Sequence, residues 1–290
     1  MVRLRFSISL NYEIKDPTAD FIFNLQAAHT LQQTVVQETL YVSQPVPLQH
    51  ATDHLGNRFI RLRAGQGPLM VRYEATVDIA QVYSPPNNLG EAPIAQLPTA
   101  VLPYIYPSRY CQSDQMTDLA TREFGHLRQG YVRAQAIHDW VQAHTKFTSM
   151  SSNSSTSALD TLNQHVGVCR DFAHLMIALC RAVNLPARFA TGIDYGADPI
   201  LGPTDFHAYV EVFVGGRWYI FDPSGTAIPM GFVRIGTGRD AVDVAFSTIF
   251  GAVTSEPPQI SIIALTEPGG PWLMPFRRMD AVSTANEHPM

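Results

Sequence analysis

The stretch GVCRDFAHLMIALCRAV, residues 167–183, joins a small loop to an apolar segment that begins with a cysteine. After Cys169, apolar residues recur at the spacing of one face of an α-helix, which predicts a helix: they are Phe172, Met176, Leu179 and Val183. The first turn of a helix carries unpaired backbone N–H groups and the positive end of the helix dipole, which stabilise a thiolate. The same N–H groups can receive an oxyanion. Cys169 is therefore a candidate nucleophile.

Farther along the chain, HAYVEVFVGGRWYIFD, residues 207–222, predicts a β-hairpin. Positions 208, 210, 212 and 214 form an apolar face, whereas His207 and Tyr209 lie on the other face. Two consecutive glycines are typical of a two-residue hairpin turn, which would pair Val214 with Arg217. Counting back along both strands from this pair places Tyr209 opposite Asp222. Asp222 is then the diagonal neighbour of His207 on the same face. Diagonal partners have Cα atoms about 7–8 Å apart, so imidazole and carboxylate can form a hydrogen bond.

These three residue types form a nucleophile, its base and the group that orients the base. A carboxylate at Asp222 would fix the imidazole tautomer of His207 and stabilise the imidazolium, which leaves the other ring nitrogen for Cys169. Each residue also has an ordinary structural interpretation: a small buried thiol, a hydrogen-bonded histidine in a strand, and an aspartate in an Asp-Pro-Ser-Gly turn. Their order in the chain, and the expected position of His207 and Asp222 on the same face of the hairpin, favour a catalytic triad of Cys169, His207 and Asp222. Tyr209 is a candidate for lining the cleft.

Composition excludes several other classes of protein. The chain has 290 residues, a formal net charge of −5 and 46% hydrophobic residues, which describes a globular protein without an electrostatic reason to bind nucleic acid. Three scattered cysteines do not make a disulfide framework or a closed zinc site, and no HExxH or CxxC motif is present, so we expect no metal and no cofactor. No apolar run is long enough for a membrane span. The expected location is the cytoplasm, without a membrane partner.

Changes in composition and periodicity along the chain predict four segments. Residues 1–82 alternate apolar and polar positions between turn signals, which predicts an all-β sandwich domain. Residues 83–114 form a proline-rich connection. Residues 115–266 would form the catalytic core, with helices near 115–127 and 132–145, and with one more strand in PPQISIIALT. Residues 267–290 lack periodicity and are expected to extend along the surface.

The motifs GVCRDFAHLMIALCRAVNLPARFATG and HAYVEVFVGGRWYIFDPSG resemble those of the transglutaminase-like superfamily, in particular its bacterial members regarded as cysteine peptidases. The family's nucleophile, histidine and aspartate fall on Cys169, His207 and Asp222. The resemblance implies an α+β fold: a papain-like transglutaminase core, in which a helix bundle packs on an antiparallel sheet. It also implies a second oxyanion donor upstream of the cysteine, for which Gln164 is the candidate by proximity.

The activity that follows is amide chemistry through a thioester on Cys169, acting on a peptide or protein substrate. If water accepts the acyl group, the protein is a peptidase or amidase. If an amine accepts it, the protein is a protein-glutamine transglutaminase. Hydrolysis is favoured, because no acidic loop suggests the calcium site of animal transglutaminases. A catalytically silent interaction module is the alternative outside enzyme classes.

Overall fold

The computed structural model describes residues 1–196, 204–266 and 270–284 and has a mixed α+β architecture. The strands are β1 (Val2–Phe23), β2 (Gln33–Val42), β3 (Gln49–Thr52), β4 (Arg58–Ile79), β5 (Val82–Ser84), β6 (Lys146–Phe147), β7 (Val166–Gly167), β8 (Ala187–Asp194), β9 (Phe206–Val214), β10 (Arg217–Phe221), β11 (Phe232–Gly238), β12 (Ser247–Phe250), β13 (Val253–Ser255), β14 (Gln259–Ala264) and β15 (Ala281–Ser283). The α-helices are α1 (Thr117–Phe124), α2 (Tyr131–His144), α3 (Ala158–Gln164) and α4 (Cys169–Ala182).

The N-terminal domain is built on two long antiparallel strands, β1 and β4, which pair along most of their length. Their apolar positions are buried on one face, as the alternation in the sequence predicts. The ring centroids of Tyr12 and Phe21 lie 5.3 Å apart, although a straight strand would separate these residues by roughly 30 Å. The pairing register shifts between Ile14 and Thr18, where the ribbon bends back on itself. The two halves of the sheet thus pack face to face, and the predicted β-rich N-terminal domain is confirmed.

The chain returns to this sheet near its end, which the sequence did not predict. Strands β12, β13 and β14 all pair with β1 in antiparallel register. The strand predicted in PPQISIIALT exists as β14, but its assignment to the core within residues 115–266 is wrong. Strand alternation reports which side chains are buried, and it carries no information about which sheet the strand joins.

The core sheet has the order β10-β9-β8-β11 with antiparallel neighbours, and α4 packs on one of its faces. The predicted helices near 115–127 and 132–145 are present as α1 and α2. Val214 pairs with Arg217, and Gly215 and Gly216 have φ of 59° and 77°, so the predicted two-residue turn is confirmed. The expected core of helices on an antiparallel sheet is therefore observed.

Most of residues 270–280 are exposed, and the C-terminal segment departs from the expected surface extension at its described end. Within residues 270–284, β15 pairs with β5, and Ala281 is fully buried. The rest of the predicted tail, residues 267–269 and 285–290, lies outside the described residues. Among the helices of the described chain, none has the length and apolar character needed to cross a membrane.

Candidate active site

Cys169 is the first residue of α4, and the residues around it explain why the helix begins there. The Asp171 carboxylate accepts a hydrogen bond from the backbone N–H of Val168 at 2.9 Å, which closes the turn ahead of the helix. A Cβ atom on Gly167 would lie 2.7 Å from the Cβ of Asp171, so only glycine fits beside that carboxylate. The Asp171 amide bonds to the Val168 carbonyl oxygen at 2.9 Å, so the first-turn amides that could receive an oxyanion are those of Cys169 and Arg170.

Cys169 differs in exposure from the other two cysteines. It is partly exposed, whereas Cys111 and Cys180 are fully buried in the core. Burial raises the pKa of the Cys111 thiol to about 12 and also raises the pKa of Cys180. The Cys169 sulfur lies 4.0 Å from the carbonyl oxygen of Phe206, the residue immediately before His207. The thiol that solvent can reach is thus the one beside the start of β9.

The predicted contact between His207 and Asp222 is confirmed. Nε2 of His207 lies 3.2 Å from Oδ1 of Asp222, and the two residues are 9% and 6% exposed. Asp222 also accepts hydrogen bonds from the Ser224 hydroxyl at 2.6 Å and the Ala227 backbone N–H at 2.8 Å. Burial alone would raise the pKa of Asp222, but the charge of His207 and these hydrogen bonds outweigh it and hold the pKa below its usual value. Asp222 is therefore a stable carboxylate.

A helix residue that the sequence analysis missed helps to place this carboxylate. Nε2 of His138, on α2, donates a hydrogen bond to the backbone carbonyl of Asp222 at 2.8 Å. Nδ1 of His138 lies 2.8 Å from Oδ1 of Asp139. The sequence analysis assigned His138 no role, because its partner is a backbone group far away in the chain, and no side-chain pattern reports such a contact.

A second carboxyl group, Asp194, lies on the other side of the imidazole. Its Oδ2 is 3.6 Å from Nδ1 of His207, and its Oδ1 accepts a hydrogen bond from the Tyr209 hydroxyl at 2.6 Å. Burial would lower the pKa of His207, but the charges of Asp194, Asp222 and Cys169 outweigh it and raise that pKa well above its ordinary value. The imidazolium form is thus favoured. Only the pairing of β8 with β9 reveals Asp194, and the sequence carried no signal for it.

The expected cleft residues have different outcomes. Tyr209 is fully buried, and its hydroxyl is bonded to Asp194, so the prediction that it lines an open cleft is wrong. Its strand face is covered by Phe232, whose ring lies 4.5 Å from that of Tyr209. Gln164 is exposed at the end of α3 and makes no side-chain hydrogen bond within the described chain, so its role as an oxyanion donor stays a prediction. The described residues contain no cluster able to hold a metal ion.

Comparisons with known proteins identify the family of this chain. The family model of the transglutaminase-like superfamily matches residues 118–223, and that of the bacterial transglutaminase N-terminal domain matches residues 2–100. A crystal structure of a candidate cysteine protease from Cytophaga hutchinsonii is 36% identical and superposes with a TM-score of 0.89 over 97% of each chain. The chain belongs to the transglutaminase-like superfamily.

Two mycobacterial proteins match this chain over a shorter region. The uncharacterised protein ML0607 of Mycobacterium leprae is 32% identical over 37% of this chain and 39% of its own length. The uncharacterised protein Rv2569c of Mycobacterium tuberculosis is 34% identical over 35% of this chain and 36% of its own length. The match thus spans well under half of these mycobacterial relatives.

Proposed function

We propose that this transglutaminase-like protein is a cysteine-dependent amide hydrolase, a peptidase or amidase that acts through a thioester on Cys169. One observation carries the proposal: a buried His207–Asp222 pair lies beside the partly exposed thiol at the start of α4. A buried imidazole paired with a carboxylate is suited to proton transfer, and a thiol at a helix N-terminus is suited to nucleophilic attack. The likeness to the candidate cysteine protease from Cytophaga hutchinsonii supports the same reaction class.

In the first half of the reaction, the Cys169 thiolate attacks the carbonyl carbon of the substrate amide and forms a tetrahedral intermediate. Backbone N–H groups in the first turn of α4 stabilise its oxyanion. The His207 imidazolium then donates its proton to the leaving nitrogen, the C–N bond breaks, and an amine departs from the thioester. Asp222 stabilises the imidazolium before this transfer and fixes the tautomer afterwards.

In the second half, neutral His207 accepts a proton from a water molecule as the water oxygen attacks the thioester carbon. The C–S bond then breaks, which releases a carboxylic acid and restores the thiolate–imidazolium pair. An amine in place of water would give a new amide by the same steps, which is the transglutaminase outcome. The substrate class in either case is a peptide or protein.

Selective alkylation tests the proposal without a known substrate. The folded protein would be treated with iodoacetamide at a pH of about 6, where an ordinary thiol with a pKa of about 8.5 reacts slowly. We expect one modification, located at Cys169 by peptide mass spectrometry, and none in Cys169→Ala. Cys180→Ala is the matched control and should label like the wild type, because Cys180 is buried. Equal labelling of wild type and Cys169→Ala would contradict the proposal.

A second experiment distinguishes hydrolysis from transfer. The protein would be incubated with a panel of glutamine-containing peptides, with and without a lysine-like amine, and the products read by mass spectrometry. Cleaved or deamidated peptide that is unaffected by the amine supports a hydrolase. Amine-linked peptide would favour the transglutaminase, and the absence of both, without a trapped thioester, would favour the interaction module.

A further inference from the structure

We propose that Asp194 is a positioning residue of this site. It is a second carboxylate, held by Tyr209, and it keeps the His207 imidazole protonated and oriented at pH values at which Asp222 alone would not do so. The inference rests on the proposed function and deepens it. It assigns the site a fourth member beyond Cys169, His207 and Asp222.

The strand pairing explains how Asp194 reaches the imidazole. In the register of β8 and β9, Gly192 lies opposite His207, so Asp194 is its diagonal neighbour on the same face. A side chain at position 192 has no room, because a Cβ atom there would lie 1.9 Å from the Val233 carbonyl oxygen. Close packing against β11 therefore requires glycine at position 192, and Asp194 is the residue of β8 whose side chain lies beside the imidazole.

Hydrogen bonding fixes the orientation of the Asp194 carboxyl group. Its Oδ1 is occupied by the Tyr209 hydroxyl, and the Tyr209 ring packs edge-on against the His207 ring at 4.8 Å. Its Oδ2 is buried and has no hydrogen-bond partner among the described residues. Nδ1 of His207, at 3.6 Å, is the cationic atom that this oxygen faces. A buried carboxyl oxygen without a partner is costly, so its position beside a nitrogen that can carry charge calls for an electrostatic role.

The charges around Asp194 show when that role operates. Burial raises the pKa of Asp194 to about 7, with Asp222 adding to the rise, while His207 and the Tyr209 hydrogen bond oppose it. Asp194 is thus neutral in acid and gains its charge near neutrality. From that point a negative charge beside Nδ1 favours the imidazolium, which would otherwise lose its proton as the pH rises.

Two more charged side chains act on the partners of Asp194, one on His207 and the other on Tyr209. Asp205, on the segment before β9, interacts with the charge of His207, but it is exposed and its Oδ1 accepts a hydrogen bond from the Phe206 backbone N–H. Burial and the charges of Asp194 and Asp222 raise the pKa of Tyr209, and the charge of Arg277, on the C-terminal segment, opposes that rise. Neither contacts Asp194, so the close pairs are those with His207 and Tyr209.

Nuclear magnetic resonance titration of the His207 ring tests the inference, with the signal assigned by comparison with His207→Gln. In Asp194→Asn, the amide keeps the shape and an acceptor for Tyr209 but cannot become charged. We expect the pKa of His207 to fall by about 1 to 3 units, the range for an opposite charge at this distance. In Tyr209→Phe, the carboxylate is destabilised, and a smaller fall in the same direction is expected. Asp205→Asn is the matched control and should shift the titration little.

Alkylation of Cys169 by iodoacetamide separates this inference from the proposed function. The alkylation should remain selective in Asp194→Asn, because Asp222 still supports the imidazolium at acidic pH. A His207 titration identical in wild type, Asp194→Asn and Tyr209→Phe would overturn the inference and leave Asp194 a structural residue. Failure of Cys169 to alkylate in the wild type would contradict the proposed function, whatever the titration shows. If Asp194→Asn does not fold, the Tyr209→Phe titration decides.

Discussion

Two buried polar clusters share one face of β9, and they differ in whether their cation can lose its proton. Glu211 is fully buried between two arginines, with Arg188 Nε at 2.8 Å and Arg234 Nη1 at 3.0 Å from its Oε2. Burial would raise the pKa of Glu211, but the arginine charges outweigh it and lower the pKa to about 2. Arginine stays protonated in proteins, so this cluster keeps its charges at any pH at which the protein works.

The other cluster, four residues earlier on the same strand, has carboxyl groups in excess around an imidazole. Asp194 and Asp222 flank His207, an imidazole that can lose its proton, unlike a guanidinium, and whose pKa their charges raise against the effect of burial. The comparison shows how one strand face carries both a fixed ionic anchor and a titrating site. The Glu211 cluster should therefore matter for folding and the His207 cluster for reactivity.

The largest expected effect is on stability, and it comes from the Glu211 cluster. Glu211→Gln leaves the buried guanidinium group of Arg234 and the partly buried one of Arg188 facing a neutral amide, which should lower the free energy of unfolding by about 3–5 kcal/mol. Urea denaturation measures this free energy of unfolding. The control is Asp20→Asn, because Asp20 also pairs with an arginine, Arg63, but on an exposed surface, and little change is expected. A fall for Glu211→Gln as small as that of the control would show that the buried pair is not an anchor.

The second effect is the opposite pH dependence of the two clusters. The folded-state pKa of Asp194, about 7, is above its unfolded value, so its share of stability is present in acid and is lost as the pH rises from about 4 to 7. The Glu211 contribution is instead lost as the pH falls below about 4.5 toward 2. Relative to wild type, Asp194→Asn should gain about 1–3 kcal/mol of unfolding free energy between pH values of about 5 and 8.

Urea denaturation of wild type and Asp194→Asn at both pH values is the measurement. The difference between the two proteins reports the ionisation of Asp194 together with the pKa of His207 that its charge raises, and both contributions favour the variant as the pH rises. A difference that does not change with pH would mean that Asp194 is ionised throughout this range.

The third effect is on reactivity and comes from the His207 cluster. Asp222→Asn removes the charge that supports the imidazolium, so alkylation of Cys169 at a pH of about 6 should slow by about 10- to 100-fold. Glu211→Gln, assayed where it is still folded, should alkylate within about threefold of wild type. If both variants slowed alkylation equally, the division between anchor and reactive site would fail.

The smallest effect concerns His138, which bonds the Asp222 backbone. Loss of one hydrogen bond is worth about 1 kcal/mol, so His138→Ala should slow Cys169 alkylation by about 3- to 10-fold. His144→Ala is the control on the same helix, because that ring stacks on Trp140 and does not contact Asp222. Equal rates in the two variants would show that Asp222 is placed without His138.

The contacts that could be predicted from the sequence are those set by local periodicity. Helical spacing after Cys169 located the start of α4, and the glycine pair located the turn that brings Asp222 to His207. Asp194 was missed because it approaches through the pairing of β8 with β9, which a single strand pattern does not encode.

The same limit explains the wrong assignments. Tyr209 lies on the strand face that the alternation of residues predicted. Alternation does not say whether that face is open or covered, and Phe232 covers this one. The strand Gln259–Ala264 was recognised but assigned to the wrong sheet, because its partner β1 lies at the far end of the chain. The cytoplasmic location and the substrate class remain predictions.

The pH dependence of Cys169 alkylation in wild type and His207→Gln tests the central claim most directly. That claim is that the His207 imidazolium, supported by Asp222 and, near neutral pH, also by Asp194, supports the thiolate at the start of α4. At a pH of about 6 the wild type should alkylate at least tenfold faster than His207→Gln, and the two rates should converge near a pH of about 9, where an ordinary thiol is ionised. Superimposable profiles for the two proteins would contradict the account.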